Sequence, residues 1–184
     1  CLYTLLNPFI EIYSGKDMLL SSYAVILIVL NFFIMGMMSP IWTFRTTMGL
    51  FIYGRWRPVI SAAINFVLSM VFAQFWGIEG VLIATAISRI TTNLWYDPYI
   101  VYKKGWNMSP ISYYIMFMKY SGVVIAIAVG ISILSNIIYF ESSIWGFMLR
   151  LLFVVILTTL MFAIVVFCNP DKEYFRDIVY RLFL

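Results

Sequence analysis

The chain has 184 residues, of which 64% are hydrophobic and 11% charged, with a net charge of +4 and no histidine, and its mean hydropathy is +0.97. That composition excludes an ordinary soluble domain. With no paired carboxylates, metal-ligand cluster or phosphate-binding glycine loop the residues point away from an enzyme, and with no basic face outside a few short loops they point away from nucleic acid.

No charged residue lies between Asp17 and Arg45, and long uncharged runs closed by short charged loops continue to Cys168. A bilayer core about 30 Å thick needs roughly 20 mostly apolar residues as helix, because backbone amides cannot be left unpaired in hydrocarbon. The fold class predicted is therefore all-α, a polytopic transmembrane helical bundle. A short apolar stub, Cys1 to Ile10, opens the chain. Five spans follow: A from Leu19 to Phe44, B from Pro58 to Phe75, C from Gly80 to Tyr102, D from Ser112 to Asn136 and E from Arg150 to Cys168. Because the chain begins with Cys inside an apolar stretch too short to cross, it reads as the back part of something longer. A mature lipoprotein would also begin with Cys, but would continue into a polar tether, and no cleavable signal peptide is evident.

Short loops rich in Lys and Arg stay cytoplasmic. The A–B connection carries Arg45, Arg55 and Arg57, and the C–D connection Lys103 and Lys104, with Lys119 close behind; these are read as topology-setting basic loops facing the cytoplasm. The other connections hold mainly acids, Glu11 and Asp17 before span A, Glu79 between B and C, and Glu141 between D and E, and are placed outside. Asn107-Met108-Ser109 matches a glycosylation acceptor, but it falls on the cytoplasmic side and is discounted.

Within the spans, Ser61, Asn65, Ser69 and Ala73 recur every four residues in B, a small or polar stripe on one helical face. Helix packing explains such a stripe first and a cavity wall second. Gly122, Ala126 and Gly130 repeat that spacing in D, where packing alone is expected. Pro40 and Pro98 should interrupt spans A and C by removing an amide donor and crowding the preceding turn. Span C gathers Thr85, Ser88, Arg89 and Thr92 on one side. Arg89 lies about nine residues, or ~13 Å, from the outer end, near the midplane. A cation there costs about 2.5–3.5 kcal/mol on insertion scales, so it should face a water-filled cavity, an anion or a partner acid. Two roles stay open: holding an anionic substrate group, or pairing with a carboxylate or carbonyl on another helix. Asp97, two turns on, is too distant for an intrahelical bridge and reads as a helix-end residue before Pro98. Neither Cys168 nor any cluster supports a disulfide or a metal site, and no cofactor is expected. Beyond span E, residues 169–184 read as an amphipathic helix on the inner membrane surface, capped by Asn169 and Pro170, leaving 1–168 as one transmembrane lobe.

The stretch from Phe44 to Trp106 then adds a resemblance. Gly49-Leu50-Phe51 leads into a basic loop closed by Arg57-Pro58, followed by Ala63-Ile64-Asn65-Phe66-Val67-Leu68-Ser69. Trp76-Gly77-Ile78-Glu79-Gly80-Val81 forms a turn, and Ala84-Thr85-Ala86-Ile87-Ser88, Trp95-Tyr96-Asp97-Pro98-Tyr99 and Tyr102-Lys103-Lys104 come after it. In this order the pieces, with Phe9 to Gly15 before them, resemble the C-terminal region of bacterial polysaccharide flippases, the O-antigen and capsule translocases of the multidrug/oligosaccharidyl-lipid/polysaccharide exporter superfamily. The resemblance implies a two-lobe transporter in the bacterial plasma (inner) membrane, with this chain as most of the second lobe and an N-terminal lobe as its missing partner. The implied cargo is an undecaprenyl-pyrophosphate-linked oligosaccharide moved across the bilayer by alternating access. The substrate-cavity candidates are then Arg89, Thr85, Ser88, Thr92 and Asn65. A drug or metabolite exporter of the same superfamily is the nearest alternative, and a membrane-embedded glycan polymerase or transferase the alternative from another class. Independently of kinship, Gly77 and Gly80 permit a tight turn between spans B and C.

Overall fold

The structure, a computed structural model, describes residues 1–137 and 144–167. Among these residues helix is the only regular secondary structure, and four helical stretches are long and apolar enough to cross a membrane. The chain is built as a multi-pass membrane protein. Its helices are α1 (Leu2–Ser14), α2 (Ser22–Thr47), α3 (Arg57–Arg89), α4 (Tyr96–Ile100), α5 (Ile111–Ile137) and α6 (Ile144–Phe167). Spans A and D of the sequence reading correspond to α2 and α5 within three residues at each end. Span E begins earlier than Arg150, because α6 is already helical at Ile144. Cys168, Glu141 and the amphipathic segment 169–184 lie outside the described residues.

Span B and the first ten residues of span C both fall in α3, yet they are two limbs rather than one rod. In a straight helix, Ser61 and Ser88 would stand ~40 Å apart. Their hydroxyl oxygens are 3.2 Å apart, 27 residues distant in sequence. The reversal occurs at Gly77, whose φ of 56° and ψ of −130° suit only a residue without Cβ. Gly80 serves the same turn differently, since a Cβ there would lie 2.2 Å from the Phe72 carbonyl oxygen. The expected glycine turn is thus present, with one glycine bending the backbone and the other letting it approach. The second limb continues beyond Arg89 as a π-helical turn over Ile90–Leu94, then α4, then a second π-helical turn over Val101–Gly105. These wider turns flank Pro98, and they absorb the missing donor and the ring crowding expected there. Pro40 sits inside α2, which remains helical to Thr47.

Two compact units are distinguished. The unit Leu20–Gly122 contains α2, the α3 hairpin, α4 and the start of α5. Ser21, just inside it, caps α2 by accepting from the Ala24 amide at 3.1 Å, and the same hydroxyl donates to Glu79 at the hairpin turn. The core of this unit is Ile34, Met38 and Ile41 of α2 against Val101, closed by Trp42, Leu94, Tyr102 and Tyr113. Outward faces carry Phe66, Val67, Met70, Ile115 and Met118, all exposed, which is the arrangement hydrocarbon favours. The other unit, Cys1–Leu19 with the residues from Val123 on, packs α1 on α6 through Phe9 and Phe147 and places the Cys1 Sγ 3.0 Å from the Thr158 hydroxyl. Arg150 of α6 donates from Nε to the buried Ser135 hydroxyl of α5 at 3.2 Å. Of the small residues expected to pack in span D, a Cβ at Gly130 would meet the Met161 methyl at 3.9 Å, whereas one at Gly122 would meet nothing within 4 Å.

Candidate functional site

The polar stripe of the first hairpin limb faces the polar side of the second. Asn65 donates its amide to the Thr85 hydroxyl at 3.1 Å, and Thr85 donates in turn to the Val81 carbonyl at 2.9 Å. Ser88, almost wholly buried, donates to the Ser61 carbonyl at 2.8 Å. Thr92, one turn on, reaches the Ser61 hydroxyl at 3.1 Å and the Ser88 carbonyl at 2.6 Å. The spacing of small hydroxylated residues every three to four positions makes this seam, because it lets the limbs approach while the facing hydroxyls and amides bond one another. Packing, the first explanation of the span B stripe, is therefore present.

A cavity of about 800 Å³ opens along one flank of the same seam, between the hairpin limbs and Trp42 of α2. Ser61, Asn65, Ser69, Thr85, Ser88 and Arg89 line it, so the stripe is a cavity wall as well. Ser69 Oγ is buried with no partner among the described residues, a hydroxyl left over by the packing. Thr92 is the one sequence-named candidate that does not line this cavity. Its side chain is consumed by the seam. Ser88 lines the wall, but its proton is already donated to Ser61.

Of the two roles left open for Arg89, the contact with a carbonyl on another helix is the one present. Its Nη1 donates to the Asn31 carbonyl at 2.9 Å and approaches the Asn31 Oδ1 at 3.3 Å, so α2 supplies the neighbouring-helix carbonyl. Asn31 is itself buried and uses its amide on the Leu82 carbonyl at 3.0 Å. A guanidinium has five N–H donors, more than Asn31 engages, and Arg89 also belongs to the cavity wall. It is fixed at one end and available at the other.

Asp97 and its partners depart most from the sequence reading. Rather than a helix-end acid, Asp97 is wholly buried, its Oδ1 accepting from Arg45 Nη1 at 2.9 Å and its Oδ2 from the Trp42 indole at 2.8 Å, with Arg57 also on Oδ2. Arg45 and Arg57, read as loop cations, stand in the last turn of α2 and at the first position of α3, with side chains only 11% and 16% exposed. The correction has a simple cause. A carboxylate inside the bundle must be paired, and these two helix ends are where cations were within reach. Arg55 is exposed, as a loop cation should be, and Lys103 and Lys104 sit in the second π-helical turn. Arg57 also lines the cavity, as does Asn93, one helical turn from Arg89; that i, i+4 spacing was the available sequence signal for Asn93. Among the described residues no group of His, Cys, Asp and Glu side chains is arranged to hold a metal ion.

The cavity can therefore do two things chemically. Its hydroxyls and amides match a polyhydroxylated ligand, and its guanidiniums match an anion. No carboxylate lies on its wall. No family model, curated protein or solved structure matches the chain.

Proposed function

We propose that the chain is the C-terminal lobe of a flippase that carries undecaprenyl-pyrophosphate-linked oligosaccharide from the cytoplasmic to the outer leaflet of the bacterial plasma membrane, and that it acts as a transporter rather than an enzyme. The observation that carries the reading is the pairing of Arg89 with a row of hydroxyl and amide groups on one wall of a cavity inside an otherwise apolar hairpin. Sugar hydroxyls find partners along Ser61, Asn65, Ser69 and Thr85. Pyrophosphate needs charge compensation to enter a low-dielectric core, and Arg89 with Arg57 provides it. The Phe44–Trp106 resemblance supplies the cargo class, and a first lobe would complete the cavity.

Deleting the gene that encodes this chain is the test. Surface polysaccharide should disappear while lipid-linked repeat units accumulate on the cytoplasmic face, and a copy carrying Arg89→Ala should insert in the membrane without restoring export. A deletion strain with normal polysaccharide and new sensitivity to a toxic compound would assign the chain to drug export instead; one that shows single repeat units outside would assign it to polymerisation.

A further inference from the structure

A second cavity, of about 370 Å³, lies at the basic end of the Leu20–Gly122 unit and shares Arg57 with the polar seam cavity. Its outer rim is Tyr53, Arg55 and Trp56, from the connection between α2 and α3, with Trp95 across from them; its inner wall is Ile60 and Ile64, one and two turns into α3. The rim is held in shape, since the Tyr96 hydroxyl donates to the Tyr53 carbonyl at 2.6 Å, tying the connection to the second limb.

We propose that this cavity binds an anionic glycerophospholipid of the adjoining leaflet, phosphate at Arg55 and acyl chain along Ile60 and Ile64. Three observations support that occupant. The first is charge. Within this unit the acids are Glu79, at the opposite turn of the hairpin, and Asp97, which is already shared by Arg45 and Arg57. Arg55 is exposed, stacked 5.7 Å over the Trp56 ring, and has no acidic partner among the described residues, while Lys104 Nζ sits 5.7 Å over the Tyr53 ring beside it. The second is the aromatic rim. Tyr53, Trp56 and Trp95 are 49%, 64% and 54% exposed, and amphipathic rings of this kind sit at headgroup level in a bilayer. The third is the inner wall, where the aliphatic Ile60 and Ile64, with Thr91 and Thr92 beside them, lead from the rim along a membrane-spanning limb, Ile60 being exposed. A free phosphate would use only the rim; an uncharged lipid would leave Arg55 without a counter-charge. An anionic lipid satisfies both.

The test uses the whole purified chain in detergent with phosphatidylglycerol or phosphatidylcholine brominated on the acyl chain, read by quenching of tryptophan fluorescence. Brominated phosphatidylglycerol should quench at lower concentration than brominated phosphatidylcholine, and Arg55→Gln should weaken that binding about fivefold, the contribution of one cation near a membrane surface. Arg55 is exposed, so the variant should keep its native circular dichroism. Replacing both Trp56 and Trp95 with Phe should remove most of the lipid-specific quenching. Equal quenching by the two lipids, unchanged affinity in Arg55→Gln, or quenching that survives loss of both tryptophans would each overturn the proposal, and competition by millimolar inorganic phosphate alone would make this a free-anion site.

Discussion

Replacing Asp97 with Asn isolates the charge of the buried cluster while keeping its shape. The native group holds two cations against one anion, and all three side chains are largely removed from solvent. Asn keeps an oxygen for the Trp42 indole, so little packing is lost; what disappears is the negative charge that, among the described residues, Arg45 and Arg57 share. Removing one partner of a buried pair and leaving the other uncompensated costs about 3–5 kcal/mol, a large share of the roughly 5–15 kcal/mol that holds a domain together. Arg45→Met is the instructive contrast, because it leaves one cation against one anion and should cost less. The double variant Asp97→Asn/Arg45→Met carries one unpaired cation rather than two and should be more stable than Asp97→Asn alone. Equilibrium unfolding in mixed micelles, followed by circular dichroism and tryptophan fluorescence across the four proteins, measures the coupling directly. A stability for Asp97→Asn within about 1 kcal/mol of native, or a double variant weaker than the single one, would show that the cluster is not electrostatically coupled.

Gly77→Ala places a Cβ at φ 56° and ψ −130° and should cost about 1–3 kcal/mol, read as a lower melting temperature; an unchanged value would mean the turn can take another backbone path. Ser61→Cys/Ser88→Cys, with Cys1 and Cys168 replaced by Ser, should oxidise readily because the native oxygens are 3.2 Å apart. Adding Gly80→Leu, whose Cβ would collide with the Phe72 carbonyl, should slow that cross-link, and an unaffected yield would argue against the hairpin. Asn31→Leu removes the side-chain oxygen that Arg89 approaches and the amide donated to the Leu82 carbonyl, while the backbone carbonyl at position 31 still accepts from Arg89, and it should lower stability by about 1–2 kcal/mol given the usual worth of polar contacts between membrane helices; no loss in a thermal unfolding assay would mean that the Asn31 side chain does not hold α2 against the hairpin.

What could be read in the sequence and what could not divides along a physical line. Span existence follows from hydropathy summed over some twenty residues, and the hairpin turn follows from two glycines at the only acidic break between spans B and C; both are local properties. The polar seam was legible for the same reason, since Ser61, Asn65 and Ser69 declare one face by spacing alone, as do Thr85, Ser88 and Arg89. Asp97 is different. Its partners Arg45 and Arg57 are 52 and 40 residues away in sequence, at helix ends, where basic residues are ordinarily explained by topology. Asp97 needs a partner for the same reason as Arg89, being an acid inside a run with no other charge from Ile90 to Tyr102. That need points to a cation from another helix, with Arg45, Arg55, Arg57 and Lys119 as the candidates on the same side. The consequence bears on the site itself. Because Asp97 neutralises one of the charges near Trp42 and Arg57, the cavity presents Arg89 and a partly compensated Arg57 rather than a dense cationic patch. In the flippase reading, an anion entering it would be held chiefly by Arg89, whose Nη1 is anchored on the Asn31 carbonyl of α2. A ligand competing for that donor would act on the contact between α2 and the hairpin, so binding and helix packing would share one residue.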